Sequence, residues 1–152
     1  MDLFAEALND ILVKAYRNIL RLEEQSLKTI SDTSLSINEM HLIECVGKGK
    51  EEEVTISKIA SELCITRPSA TIAVNKLEKK GYVKKINCQD DGRVVYVVLT
   101  EKGREIDDIH RQYHLNMVDA ISKELSENER RYLIEGIHKL NNYFKKSIGE
   151  KK

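Results

Sequence analysis

Tryptophan is absent, proline occurs once, and only 5% of the 152 residues are aromatic. A chain this poor in turn-forming and aromatic residues is not built as a sandwich or barrel of short strands, and helices should dominate it. The three cysteines, Cys45, Cys64 and Cys88, are odd in number, far apart and without CxxC spacing. That excludes a disulfide scaffold and fits reduced thiols. No apolar run approaches the roughly 18 residues of a membrane span. The amino terminus, Met1-Asp2-Leu3-Phe4, lacks the basic start of a signal peptide. The expectation is a cytoplasmic protein with no membrane partner, long enough for one compact unit over 1–152. Net charge is also missing, because 25 basic and 25 acidic side chains cancel. The distribution is uneven, however. Between Lys58 and Arg93 there are eight basic residues against four acidic ones, a basic middle between acidic flanks. Such a stretch is either a phosphate-binding surface or an ordinary solvated face.

What is present is mostly helical periodicity. Leu8, Ile11, Leu12, Ala15, Ile19 and Leu20 repeat at helical spacing and predict a helix over 3–26. Ser36 with Glu39 forms a capping box that opens a second helix, ending near Gly47, and a polar loop through Gly49-Lys50 and three glutamates follows. Thr55 can cap a short helix over 56–63. Cys64-Ile65 makes a tight turn in which Cys64 packs, and Thr66 caps a fourth helix with Pro68 in its first turn, where the missing N–H costs nothing. Gly81 ends that helix as a left-handed cap. From Tyr82 the period changes to two, with Val83, Ile86, Val95, Val97 and Leu99 around Asp91-Gly92, which predicts a β-hairpin with Cys88 at its base. Thr100 and Glu101 open a long fifth helix, with Ile106, Ile109, Tyr113, Met117, Ala120 and Ile121 on one stripe. Ser126 and Glu129 box the start of a sixth, carrying Leu133, Ile134, Ile137, Leu140 and Phe144.

Two short helices joined by a turn of about three or four residues form a helix-turn-helix, whose second helix lies in the DNA major groove. On the fourth helix Ala70, Val74 and Leu77 share the stripe that should face the core. Ser69, Thr71, Ile72, Asn75 and Lys76 then point outward, with Arg67 at the amino-terminal end. Such a face can read base edges, asparagine pairing with adenine and an apolar side chain meeting a thymine methyl. Ile72 is alternatively an ordinary surface residue or packs on a neighbour. Lys76, Lys79 and Lys80 suit phosphate, which would give affinity rather than sequence choice. At the hairpin tip Arg93 can reach a narrow minor groove, with Asp91 orienting it through a charge-assisted hydrogen bond or merely stabilising the turn.

Leu77-Glu78-Lys79-Lys80-Gly81, followed by a strand, Asp91-Gly92-Arg93 and Leu99-Thr100-Glu101-Lys102-Gly103, resembles the multiple-antibiotic-resistance regulator (MarR) family of winged-helix repressors. The resemblance implies a mainly α fold with a small β-hairpin wing. A winged helix-turn-helix DNA-binding lobe over 36–100 would lie between dimerisation helices at 1–35 and 101–152. It implies further a homodimer that binds a pseudo-palindrome in double-stranded DNA, its half-sites about 34–36 Å apart. Leu22-Glu23-Glu24, Asn38-Glu39-Met40-His41, Val94-Val95 and His110-Arg111-Gln112-Tyr113-His114 with Met117-Val118 are similar to the fatty-acid-synthesis repressor branch. That similarity implies an acylated acyl carrier protein as effector. The chain departs from the family at Gly92, where a basic residue is common, and at Thr66-Arg67-Pro68.

His110 and His114, one turn apart on the fifth helix, with His41 and a carboxylate from Glu23 or Glu24 make workable zinc spacing, and Glu24 is the expected one; a zinc-responsive branch of the same family has a similar arrangement. The alternatives for these residues are hydrogen-bonded structural histidines or the lining of an acyl-ligand pocket. No other cofactor is implied. A redox regulator needs an exposed, acidic thiol. No motif for a nucleophile or paired carboxylates accompanies the histidines, so a metalloenzyme reading has nothing further behind it and no enzymatic activity is expected. A winged helix that binds another protein is the remaining class, and the basic face argues against it.

Overall fold

The computed structural model describes residues 2–30, 34–49, 54–87 and 90–149. Six helices and three strands follow one another: α1 (Leu3–Thr29), α2 (Ile37–Lys48), β1 (Val54–Thr55), α3 (Ile56–Glu62), α4 (Arg67–Lys79), β2 (Val83–Asn87), β3 (Val95–Leu99), α5 (Glu101–Lys123) and α6 (Glu127–Ser147). The polar loop at 50–53 and the position of Cys88 lie outside the described residues. The chain forms two compact units, Met1–Arg111 and Gln112–Lys152, divided within α5.

Helix boundaries follow capping chemistry. Ser36 and Glu39 form a reciprocal capping box, as do Ser126 and Glu129. Thr55 accepts from Lys58 N–H and Thr66 from Ser69 N–H. α1 continues past the expected end at 26 to Thr29, because the hydroxyls of Ser26 and Thr29 donate back to carbonyls within the helix, at 3.0 and 2.7 Å. α4 closes in a Schellman motif: Gly81 takes φ +84, its N–H donates to Glu78 O, and Tyr82 N–H reaches Leu77 O.

The first unit holds the core. Met40, Leu42, Ile43, Ile59, Ala70, Val74, Leu77, Tyr82, Val83 and Val97 are fully enclosed. Ala70, Val74 and Leu77 are thus the inward stripe of α4, as their spacing predicts. Besides the expected hairpin, β1 adds a third antiparallel strand, giving the order β1-β3-β2 with Val54 opposite Val97 and Val83 opposite Leu99. The junction between β3 and α5 is tied to the end of α4. Thr100 donates its hydroxyl to Gly81 O at 2.6 Å, accepts the Gly103 N–H, and takes the Tyr82 carbonyl with its own N–H. Gly103 lies so close to Tyr82 that a Cβ there would sit 2.0 Å from the carbonyl oxygen. Lys102 lies over the Tyr82 ring, 4.3 Å from its centroid.

The second unit comprises the rest of α5 with α6, and none of its described residues is buried. Leu115, Val118 and Ile121 on α5 and Tyr132, Leu133, Ile134, Ile137 and Phe144 on α6 are all exposed. In the first unit the start of α1 likewise exposes Phe4, Ile11, Tyr16 and Ile19.

Candidate nucleic-acid interface

α4 presents three faces. Its buried stripe locks it to the core, and its two remaining flanks line different clefts. Ser69, Ile72, Ala73 and Lys76 face a cleft of about 490 Å³ shared with Asn38, Glu39 and His41 of α2 and with Leu63 and Ile65. Arg67 and Thr71 face a second cleft, of about 420 Å³, shared with Thr55, Ile56 and Ser57 and with Lys85, Arg93, Val94 and Val95 of the hairpin. The second cleft carries Arg67, Lys85 and Arg93 and no carboxylate among its lining residues. A concave surface with three cations concentrates positive potential where a polyanion can enter.

The expected outward residues of α4 divide between these flanks. Ile72 is the most exposed apolar residue of the helix, at 69%. Ser69 is exposed, its hydroxyl accepting from Thr66 at 2.8 Å. Thr71 is half-buried and donates back to Arg67 O at 3.1 Å. Asn75 is half-buried too, and its amide oxygen accepts from the Lys85 ammonium. Lys85 also pairs with Glu78 at 3.4 Å, and its backbone N–H donates to the same carboxylate at 3.1 Å. Asn75 therefore holds a wing lysine in place through its amide oxygen.

Lys76 and Lys80 share Glu39 of α2, at 3.3 and 2.9 Å, and Lys80 also donates to Ser34 O at 2.6 Å. Burial alone would raise the Glu39 carboxyl. The Ser36 N–H and the two ammonium groups outweigh it and hold the group below its ordinary value. Lys80 is thereby a strut between α4 and α2, whereas Lys76 and Lys79 stay exposed at the surface.

At the wing, Asp91 accepts the backbone N–H of Arg93 at 3.0 Å, and Val94 N–H closes the turn on Asp91 O. The carboxylate shapes the turn through the backbone instead of gripping the guanidinium, so the exposed Arg93 side chain projects from a fixed base. Lys85 belongs to this surface and was not singled out from the sequence. Its signal was the strand period, which places it on the face of Val83 towards α4.

Within the first unit Glu24, His41 and His110 do not share one site. His110 is buried and donates from Nε2 to Glu23 Oε2 at 3.0 Å, so the carboxylate that meets α5 is Glu23 and not its exposed neighbour Glu24. Glu24 lines an open cleft of about 590 Å³ with Leu20, Leu27, Lys28, Leu35 and Ile37. His41 lies in the cleft beside α4. His114, one turn beyond His110, belongs to the second unit, where its ring meets Tyr113 edge-on at 5.9 Å.

Of the cysteines, Cys45 is buried and donates to Glu62 at 3.2 Å. Burial, then the Glu62 carboxylate, push its thiol up to about 12. Cys64 does not pack as expected. It takes φ +54 in the turn between α3 and α4, and this left-handed backbone leaves the side chain exposed.

Among known proteins, the family "Transcriptional regulator SarA/Rot" matches residues 25–110. The chain is 26% identical over 126 residues to the HTH-type transcriptional regulator PchR of Bacillus subtilis, covering 74% of this chain and 71% of PchR. It is 25% identical to YhjH of the same organism, covering 66% of that protein, so it spans about two thirds of the length of these relatives. Among solved structures, FabT of Streptococcus pneumoniae in complex with DNA superimposes with a TM-score of 0.88 at 34% identity, over 93% of this chain and 98% of FabT. The MepR–DNA complex of Staphylococcus aureus shares the fold, with a TM-score of 0.73 at 17% identity over 88% of this chain and 95% of MepR. No helix among the described residues is long and apolar enough to cross a membrane. The chain belongs to the SarA/Rot family of transcriptional regulators, is related to FabT, and shares the winged helix-turn-helix fold of a MarR-family regulator.

Proposed function

We propose that this protein is a homodimeric, sequence-specific repressor that binds a pseudo-palindromic operator and controls fatty-acid biosynthesis genes, with an acylated acyl carrier protein as effector. The observation that carries the DNA reading is α4 itself. Locked by Ala70, Val74 and Leu77, it offers Ser69, Thr71, Ile72, Asn75 and Lys76 beside a cleft holding Arg67, Lys85 and Arg93. Ser69 and Ile72 suit base edges, and Lys79 suits phosphate. Arg93 on the wing suits a narrow minor groove, with Asp91 setting its turn.

Homodimerisation is supported by the apolar surface. A two-helix unit with no buried residue among those described, and α1 with an exposed apolar start, leave many large apolar side chains in solvent, the mark of an interaction surface. A second copy supplies the partner and turns one recognition helix into a reader of two half-sites. The work is that of a cytoplasmic regulator without catalysis.

The fatty-acid assignment rests on likeness to FabT over nearly the whole chain. The zinc-responsive alternative needs Glu24, His41, His110 and His114 to converge. In the first unit Glu24 and His41 line separate clefts, so that full set does not assemble there, and the acyl reading is preferred on the likeness to FabT. The test is the mobility of a fatty-acid-gene promoter fragment with the full chain, measured alone, with acylated carrier protein and with zinc. Tighter binding with the acylated carrier protein supports the assignment. A response to zinc alone overturns it in favour of the metal.

A further inference from the structure

Of the cleft on the far side of α4 from the wing, only the α4 flank enters that reading. The cleft runs between the first turns of α2 and the outward flank of α4. Its floor is apolar, made by Leu42, Leu63 and Ala73, and Asn38, His41, Ser69 and Lys76 stand round it. Ile65 and Ile72 are exposed at its mouth. Its one carboxylate, Glu39, is already engaged by Ser36 N–H, Lys76 and Lys80, so it offers little repulsion to an incoming anion. Ser69, Ile72 and Lys76 belong at once to this cleft and to the proposed reading face. A helix seated in a major groove is bordered on both sides by sugar–phosphate backbone, because the groove is only about 12 Å wide. The wing-side cleft takes one border, and this cleft lies where the other runs.

We infer that the α2–α4 cleft holds the backbone of the second DNA strand, with His41 and Asn38 donating hydrogen bonds to one phosphate. Deoxyribose packs against Ile65 and Ile72. This rests on the DNA-binding reading above and gives His41 a role apart from any effector or metal. The contact positions α4 in the groove and carries no sequence information of its own. His41 and Asn38 lie one turn apart on α2, so both can serve a single phosphate, and the Ser36–Glu39 capping box fixes the turn that presents them.

The test uses the full chain, a duplex selected by it from a random pool, and an unselected duplex, with binding read by fluorescence anisotropy. His41→Ala and Asn38→Ala should each weaken both duplexes by a similar factor, about tenfold for one hydrogen bond to a charged group. Asn38 is exposed, so its variant decides the question even if His41→Ala disturbs folding. Single neutral methylphosphonates are then placed along the selected duplex. One position should weaken the unmodified protein and leave His41→Ala unaffected, which identifies the contacted phosphate. Wild-type affinity in both variants, with Arg93→Ala still impaired, overturns the cleft contact and leaves the DNA reading standing. Failure of the unmodified protein to bind any duplex removes both.

Discussion

Replacing Glu39 tests how the recognition helix is held. Glu39 accepts the Ser36 N–H at 2.9 Å and the Lys80 ammonium at 2.9 Å on each of its oxygens. Glu39→Ala removes a cap contact of about 1 kcal/mol. It also leaves the half-buried Lys80 with the Ser34 carbonyl as its acceptor, at a cost of about 1–3 kcal/mol. The expected loss is therefore about 2–4 kcal/mol, a large share of the 5–15 kcal/mol typical of a folded domain. Glu39→Gln keeps an oxygen for Ser36 and loses only the charge, so about half that loss is expected. Both variants also lose the pH dependence that the carboxyl gives the wild type. The folded carboxyl titrates below its ordinary 4.5, so its contribution is fully present above that pH and disappears as pH falls through the lower folded value. Urea unfolding at one fixed chain concentration, at neutral pH and at about pH 3, measures both effects. Glu39→Gln should differ from wild type at neutral pH and approach it in acid. Equal stability of all three proteins at neutral pH would refute the strut, and an undiminished gap in acid would refute its electrostatic origin.

On the proposed reading Arg93 meets DNA and not the apolar faces, so Arg93→Ala should weaken binding to the selected duplex by about tenfold while the dimer stays intact in sedimentation. Asn75→Ala should relax sequence preference more than it lowers affinity for unselected duplex. An unchanged preference in a selection experiment would restrict Asn75 to holding Lys85. In a Cys88→Ser background, Cys64 should react readily with a thiol reagent in the native protein. Cys45, with its thiol at about 12, is only about one part in ten thousand thiolate at pH 8 and should label only on unfolding. Equal labelling rates would contradict the burial of Cys45.

The helix starts were legible because a cap is written in neighbouring residues: Ser36 with Glu39, Thr55, Thr66, and Ser126 with Glu129 each needed only a hydroxyl and a backbone N–H. So was the inward face of α4, since Ala70, Val74 and Leu77 repeat at helical spacing. Part of the motifs that carried the family resemblance proves to be structural. Gly81 closes a left-handed turn, Thr100 and Gly103 clasp Tyr82, and Lys80 braces α2. Other features lay beyond local pattern. β1 has two residues, too few to show a period of two. The choice between Glu23 and Glu24 depends on which side of α1 faces His110, a tertiary fact. The same holds for His41, whose neighbours on α4 are about thirty positions away in sequence and adjacent only because α2 and α4 pack together.

The central claim is that two copies of α4 read one duplex. Hydroxyl-radical footprinting of the full chain on its selected duplex tests it most directly. The account predicts two protected patches related by a dyad, centred about 34–36 Å apart. A single patch, or protection of the duplex by a monomeric chain, would contradict it.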